Sequence, residues 1–436
     1  MLNGSLLPKI VAFALPLAAA SILQQLFNAA DVAVVGQFAG GNGMAAVGAN
    51  GPVVNILVGF ATGLAVGVNV HVARLIGRGY ERSVHESIQT IIFLAIVMGL
   101  VVASVGFIAA RPILKLMNTP KDILWEAILY LRVYSIGIPF VMLYNCGSAI
   151  LRSRGDTRRP LYILAACGII NIILNLIFVV GFHTGVVGVA MATDISGVIS
   201  AVLVFRIILK DEVDESFFKT LSIHTGLVAG ILKIGLPAAL QGMLFSLSNI
   251  IIQSALNGFG PDAIAGNTAA VNFEYISFFI AQAFSQTAMT FVSQNLGAKQ
   301  PERCKTAFKL CVILAVVLQL VINTSFVLAG EYVMRIFSSE PEVIAYGVLR
   351  LRIVVLFHVL ISSYEITAGV LRGYGFAMTP TIISVVGTCI FRPLWIATYF
   401  AAHHTLTNLL LVYPMSWIFT GIMMTIAYKV KIRNYT

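Results

Sequence analysis

Twelve apolar runs, each long enough to cross a bilayer as a helix, follow one another along this chain, at approximately 8–36, 45–73, 88–110, 122–149, 160–181, 186–209, 226–257, 263–294, 306–329, 342–370, 377–400 and 406–429. In lipid no water is available to satisfy a free backbone N–H or C=O, so a run of this kind folds as a helix that satisfies its own. A soluble core has no place for twelve of them. Hydrophobic residues make up 58% of the chain and charged residues 11%, against roughly 45–50% and 25% in soluble domains. The fold class that follows is an all-α polytopic membrane protein. The first run carries Pro16 and Asp31 and no basic segment leading to a small-residue cleavage site, so it is expected to stay as an uncleaved first span.

The runs fall into two related halves. Leu151-Arg152-x-x-Gly155-x4-Pro160 returns 220 positions later as Leu371-Arg372-x-x-Gly375-x4-Pro380. Around it, Leu131-Arg132 returns as Leu351-Arg352 and Tyr144 as Tyr364, while Pro16 returns as Pro237, one residue out of register. The densest charge cluster, with Asp211, Glu212, Asp214, Glu215 and Lys219, lies between runs six and seven. The expected organisation is an N-terminal six-helix lobe (1–209), a cytoplasmic linker (210–225) and a C-terminal six-helix lobe (226–436). Six is an even number, so both halves enter the membrane the same way and form a parallel repeat, an arrangement that encloses a central cleft.

The net charge of +10 comes from basic residues scattered over short loops, not from one basic face, which argues against nucleic acid. Arg74, Arg78, Arg82, Arg152, Arg372 and Lys429 all fall on one side of the twelve-span arrangement. The loops at 37–43, 182–185, 258–262 and 401–405 on the other side carry no Lys or Arg. By the positive-inside rule both termini are expected in the cytoplasm, in the inner membrane of a cell. The five cysteines form no CxxC pair, and His403-His404, as adjacent residues, point apart, so no metal is assigned to them. No GxSxG, HExxH or comparable motif supports an enzyme, and no cofactor is called for.

An ordered set of motifs then points to one family. Pro16…Gln24-x3-Asn28-x2-Asp31-x4-Gly36 in span one, the LR-x-x-G-x4-P loop in both halves, Asn171-Ile-Ile-Leu-Asn175 in span five, Ala192-Thr193 in span six and Gln294-x-x-Gly297-Ala298 after span eight together resemble the MATE family of multidrug and toxic-compound extrusion proteins. The resemblance covers essentially the whole chain. It implies a two-lobed transporter, with the lipid bilayer around it, that exports small cationic amphiphiles in exchange for protons or sodium ions, expected here to work as a monomer. The runner-up within the same superfamily is a flippase for lipid-linked oligosaccharides or peptidoglycan precursors, which would need cationic groups for pyrophosphate; Arg132, Arg352 and Arg392 are the candidates.

Asp31 is the sharpest single residue. A carboxylate at mid-membrane depth costs about 2.5–3.5 kcal/mol on insertion scales, so it needs partners, water or a proton. Gln24, Asn28 and Asp31 share one helical face, and so do Asn171 and Asn175. The repeat aligns Asn28 with Asn249 but Asp31 with Ile252, so the scaffold itself does not demand the carboxylate. The expected coupling-ion site is Asp31, Asn28, Asn171, Asn175, Thr193 and Asp194, whose oxygens suit a proton or Na+, with Na+ ligands, if any, at Asp31, Asn171, Asn175 and Thr193. The resembled family often has Asp where Asn175 stands, which leaves one ionisable group fewer; Asp194 offers partial compensation, although it points about 100° away from Thr193. A helix-packing role for Asp31 is the plainer alternative.

Expected substrate contacts are Gln24, Glu274, Tyr275, Gln282, Glu365 and Arg392. Glu365 has a plain ion-pair alternative in Arg372 at i+7. Arg392, an intramembrane cation, needs a partner such as Glu365 or Glu274, and reads more simply as a clamp.

Overall fold

The computed structural model describes residues 1–38, 40–212 and 223–433. The charged part of the expected linker, 213–222, lies outside the described residues. Among the described residues twelve long helices account for the fold: α1 (Leu6–Phe38), α2 (Gly40–Gly77), α3 (Glu81–Leu116), α4 (Lys121–Ser153), α5 (Arg158–Gly181), α6 (Gly185–Asp211), α7 (Thr225–Phe259), α8 (Pro261–Gly297), α9 (Pro301–Leu328), α10 (Pro341–Tyr374), α11 (Met378–Phe400) and α12 (Leu406–Ile432). A short helix, Gly330–Arg335, joins α9 to α10.

Eleven of these helices are long and apolar enough to cross a membrane among the described residues; α8 is the one that falls short on composition. Several of its polar residues bond to neighbouring helices. Ser285 Oγ donates to the Glu365 carbonyl at 2.7 Å, Ser293 Oγ to that of Gly373 at 3.3 Å, and Gln319 of α9 donates back to the Ser277 carbonyl at 2.8 Å. Between helices in lipid such bonds replace the hydrophobic drive that is missing there. Large apolar side chains instead line the outside: Leu100, Val105 and Ile108 on α3 and Val317, Leu320 and Val321 on α9 are all exposed. Such stripes would be an aggregation hazard in water and are ordinary against lipid.

The chain divides into two compact units, Ala19–Leu240 and Met1–Ala18 with Gln241–Thr436. The boundaries fall inside α1 and α7, so each of these helices gives its first half to one unit and its second to the other. In the unit Ala19–Leu240, α4 is central and packs on α2, α3 and α6. The first half of α7 lies on α2 at glycines: a Cβ on Gly67 would sit 2.3 Å from the Ile231 carbonyl oxygen, and one on Gly63 2.6 Å from the Ala239 Cβ. This Gly-x3-Gly spacing lets the two backbones meet. In the other unit, α8 packs on α9 and α10, and α10 on α12. The first half of α1 joins this unit through Phe13, edge-on to Phe291 of α8 at 5.7 Å.

The duplicated motif forms the same helix end twice. Gly155 and Gly375 have φ of +99° and +97°, and the next N–H reaches back to the motif leucine, Asp156 to Leu151 at 3.0 Å and Phe376 to Leu371 at 2.8 Å. That is a Schellman cap, which needs a left-handed residue and so favours glycine. The motif arginine of the second copy faces inward: Arg372 is 8% exposed and donates to Gln241 Oε1 at 2.8 Å.

Candidate functional site

The polar centre of the unit Ala19–Leu240 is set by a glycine contact. A Cβ on Gly168 of α5 would lie 1.9 Å from Phe27 Cε2 of α1, so the ring rests directly on the α5 backbone. One turn beyond Phe27 comes Asp31; three and seven residues beyond Gly168 come Asn171 and Asn175. The docking of ring on glycine therefore delivers the carboxylate to both amides. Asn175 Nδ2 donates to Asp31 Oδ1 at 2.5 Å. The Thr193 hydroxyl of α6 lies 3.4 Å from the Asn171 amide and donates to the Val189 carbonyl at 3.0 Å. Directly after Asn175 the helix loosens into a π-helical turn, Leu176–Gly181, an irregularity common at functional sites.

The Asn171 amide completes the cluster: its nitrogen donates to Asp31 Oδ1 at 2.7 Å and its oxygen accepts from the Thr193 N–H at 3.3 Å. Asn175 Oδ1 is buried beside them with no hydrogen-bond partner. The carboxylate thus accepts from both amides.

Asp194 faces α4, in a different direction from its neighbour Thr193. It accepts a hydrogen bond from the Gly137 backbone, and a Cβ at Gly137 would lie 2.0 Å from Asp194 Oδ1. Tyr130 and Tyr134 of α4, stacked at 6.0 Å, lie within electrostatic reach of both Asp31 and Asp194. These tyrosines were not anticipated; their i, i+4 spacing on the span facing two acids was the available signal. Gln24 and Asn28 are exposed on α1, and only Asp31 of their face joins the hydrogen-bonded cluster.

In the other unit Glu274 is held by Arg350, whose Nη2 reaches Oε2 at 2.6 Å while Nη1 donates to Asn267 Oδ1 at 2.6 Å. Sequence reasoning passed over Arg350 in favour of Arg352 and Arg392. The π-helical turn Leu351–Val355 begins directly after Arg350 and changes which residues of this run face inward. Glu365 lies 3.9 Å from Arg372, its i+7 ion-pair partner. Arg392 has neither acid as a hydrogen-bonded partner. Its Nη1 donates to Asn249 Oδ1 at 2.8 Å and its Nε to Ser416 Oγ at 3.2 Å, and the guanidinium lies over the rings of Phe245 and Tyr413. At 0% exposed it offers a substrate no surface, which favours the clamp. Gln282 is half-buried, and Tyr275 is 43% exposed and stacked on Phe279. His403 stacks on Tyr399 and His404 packs on Phe259 and Phe400, so each ring has its own aromatic neighbours.

The MatE family profile matches residues 16–177 and 237–396, one stretch in each half. The probable multidrug resistance protein NorM of Thermotoga maritima is 28% identical over 389 residues, covering 87% of this chain and 82% of that protein. The FAD transporter of Shewanella oneidensis is 26% identical over 356 residues, covering 78% of each. The fold is shared with a solved outward-facing multidrug resistance MATE family transporter, at 22% identity and a TM-score of 0.91 over 100% of this chain and 97% of that one. With a family match in both halves and the same fold throughout, the chain belongs to the MatE family and is a multi-pass membrane transporter, not an enzyme.

Proposed function

We propose that the chain is a secondary antiporter that exports organic cations and drugs by alternating access, driven by a cation returning through the Asp31 site. The observation that carries this reading is the surroundings of Asp31: a carboxylate in mid-span, hydrogen-bonded to two amides and paired with no basic side chain among the described contacts. A buried carboxylate without a fixed cation is stabilised by a transient one. A proton on Asp31, or Na+ among the oxygens of Asp31, Asn171, Asn175 and Thr193, neutralises the carboxylate equally well. The loaded and the empty site are then the two states of the cycle. Exchange follows if the two states open to opposite sides of the membrane. The protein is taken to act as a monomer in the inner membrane with both termini cytoplasmic.

The test is uptake into everted vesicles holding wild type or Asp31→Asn, driven separately by a pH gradient and a Na+ gradient. A cationic dye and FAD are offered in parallel, since relatives carry both multidrug and FAD names. Dye transport that needs Asp31 and one gradient is the expected result. Undiminished gradient-driven transport by Asp31→Asn would remove the site from the mechanism, and FAD transport without dye transport would reverse the substrate charge.

A further inference from the structure

We infer that Arg392 is a tethered cation: its guanidinium takes, in the unit containing α8–α12, the place that the returning cation takes at Asp31 in the other unit. The analogy with the returning cation rests on the function proposed above; the placement of Arg392 does not.

The repeat relates α1 to α7 by 221 positions (Pro16 to Pro237, Asn28 to Asn249) and the start of α5 to that of α11 by 220 (Pro160 to Pro380). α5 is regular through Asn175, whereas α11 carries a π-helical turn at Val385–Ile390, ahead of Arg392. A π turn of this kind absorbs one extra residue. Beyond it the offset in α11 becomes 221 as well, and Arg392 comes into register with Asn171. The partners agree with this. Asn171 meets Asp31 of α1; Arg392 meets Asn249 of α7, one turn before Ile252, the counterpart of Asp31. A longer side chain reaching one turn further accounts for the step.

The charges at the two places are opposite. In one, a carboxylate lies among amides. In the other, Ile252 is buried and apolar, and a fully buried guanidinium is held by an amide, a hydroxyl and two aromatic faces. Its Nη2 has no hydrogen-bond partner, and Glu274, the acid within its electrostatic reach, is hydrogen-bonded to Arg350 instead. Unlike a bound ion, a guanidinium neither dissociates nor loses its proton. The place is therefore occupied at every stage of transport, and exchange is confined to the Asp31 unit.

Two stability measurements on the purified full-length chain test this. Arg392→Ala removes the side chain beyond Cβ, a fragment matched by ethylguanidinium. The variant is expected to melt several degrees below wild type and to recover in millimolar ethylguanidinium but not in ethylammonium, with wild type unmoved; equal or absent recovery overturns the inference. Should Arg392→Ala not fold, Ile252→Asp is compared with its isostere Ile252→Asn. A facing cation makes the Asp variant melt higher, and the reverse order overturns the register. Neither measurement reads transport. Loss of gradient dependence at Asp31 with intact rescue would strike down the proposed function and leave the tethered cation standing.

Discussion

Replacing Glu274 with Leu strands Arg350 inside α8–α12, and the structure sets the size of the effect. The pair is close, 2.6 Å, with side chains 4% and 17% exposed. Without the carboxylate the guanidinium keeps Asn267 and the Tyr413 ring, which hold it in place but do not neutralise it. Removing one member of a buried pair costs about 3–5 kcal/mol; the residual exposure of Glu274 places the expected loss near the lower end, about 3 kcal/mol. Removing both charges with Glu274→Leu and Arg350→Met is expected to return the protein to within about 1 kcal/mol of wild type, because a buried pair and an apolar pair of similar volume are nearly equivalent. With Arg350→Met alone, which strands the Glu274 carboxylate, costing about 3 kcal/mol as well, the coupling energy is about 5 kcal/mol, against about 0.6 kcal/mol for an average hydrogen bond between membrane helices. Reversible unfolding in mixed micelles, run on all four proteins, gives the number. Coupling below about 1 kcal/mol would refute the clamp, and a Glu274→Leu variant of normal stability that has lost cationic dye transport would return Glu274 to the substrate contacts.

Gly168→Ala is expected to abolish Asp31-dependent transport while leaving insertion intact, since its Cβ collides with Phe27; adding Phe27→Leu should recover part of the activity, and no recovery would mean that the ring does not position Asp31. Gly137→Ala pushes a methyl into Asp194 Oδ1 and should cost about 1–3 kcal/mol by overpacking, read as a lower melting temperature. Gly155→Ala and Gly375→Ala each put a Cβ on a left-handed residue, at about 1–2 kcal/mol. Thermal unfolding of the two variants should give equal losses, because the two caps share one geometry. Asp31→Asn, as above, should lose coupled export in vesicles without losing expression.

Much of this was legible because membrane folding is governed by local rules. Every apolar run became a helix. The duplicated glycine motif, visible as letters, proved to be a duplicated cap. The i, i+4 amides Asn171 and Asn175 share a face because the helix period requires it, and both lie within hydrogen-bond reach of Asp31. Arg350 was hidden because two arginines two residues apart, Arg350 and Arg352, point to different sides, and the π turn between them is not encoded in hydropathy. The register of Arg392 was hidden for the same reason, since a one-residue slip inside a helix leaves composition unchanged. The docking of Phe27 on Gly168 was hidden because nothing in either letter names its partner. Sequence gives which face of a helix is polar; it does not give which helix that face meets.

The division of α1 between two units has a consequence for how the protein is made. Met1–Ala18 packs with residues from Gln241 onward, so this segment is made well before its partners. At 5–20 residues per second, roughly 14–56 s of synthesis separates Phe13 from Phe291. Through that interval Phe13 waits for Phe291, and Ile10, fully buried in the finished protein, remains uncovered by its own unit. The other unit, Ala19–Leu240, is contiguous and can close while the ribosome is still working. Synthesis thus staggers the two units: Ala19–Leu240 is complete before most of the other unit has been made, and that unit closes around a segment made before it.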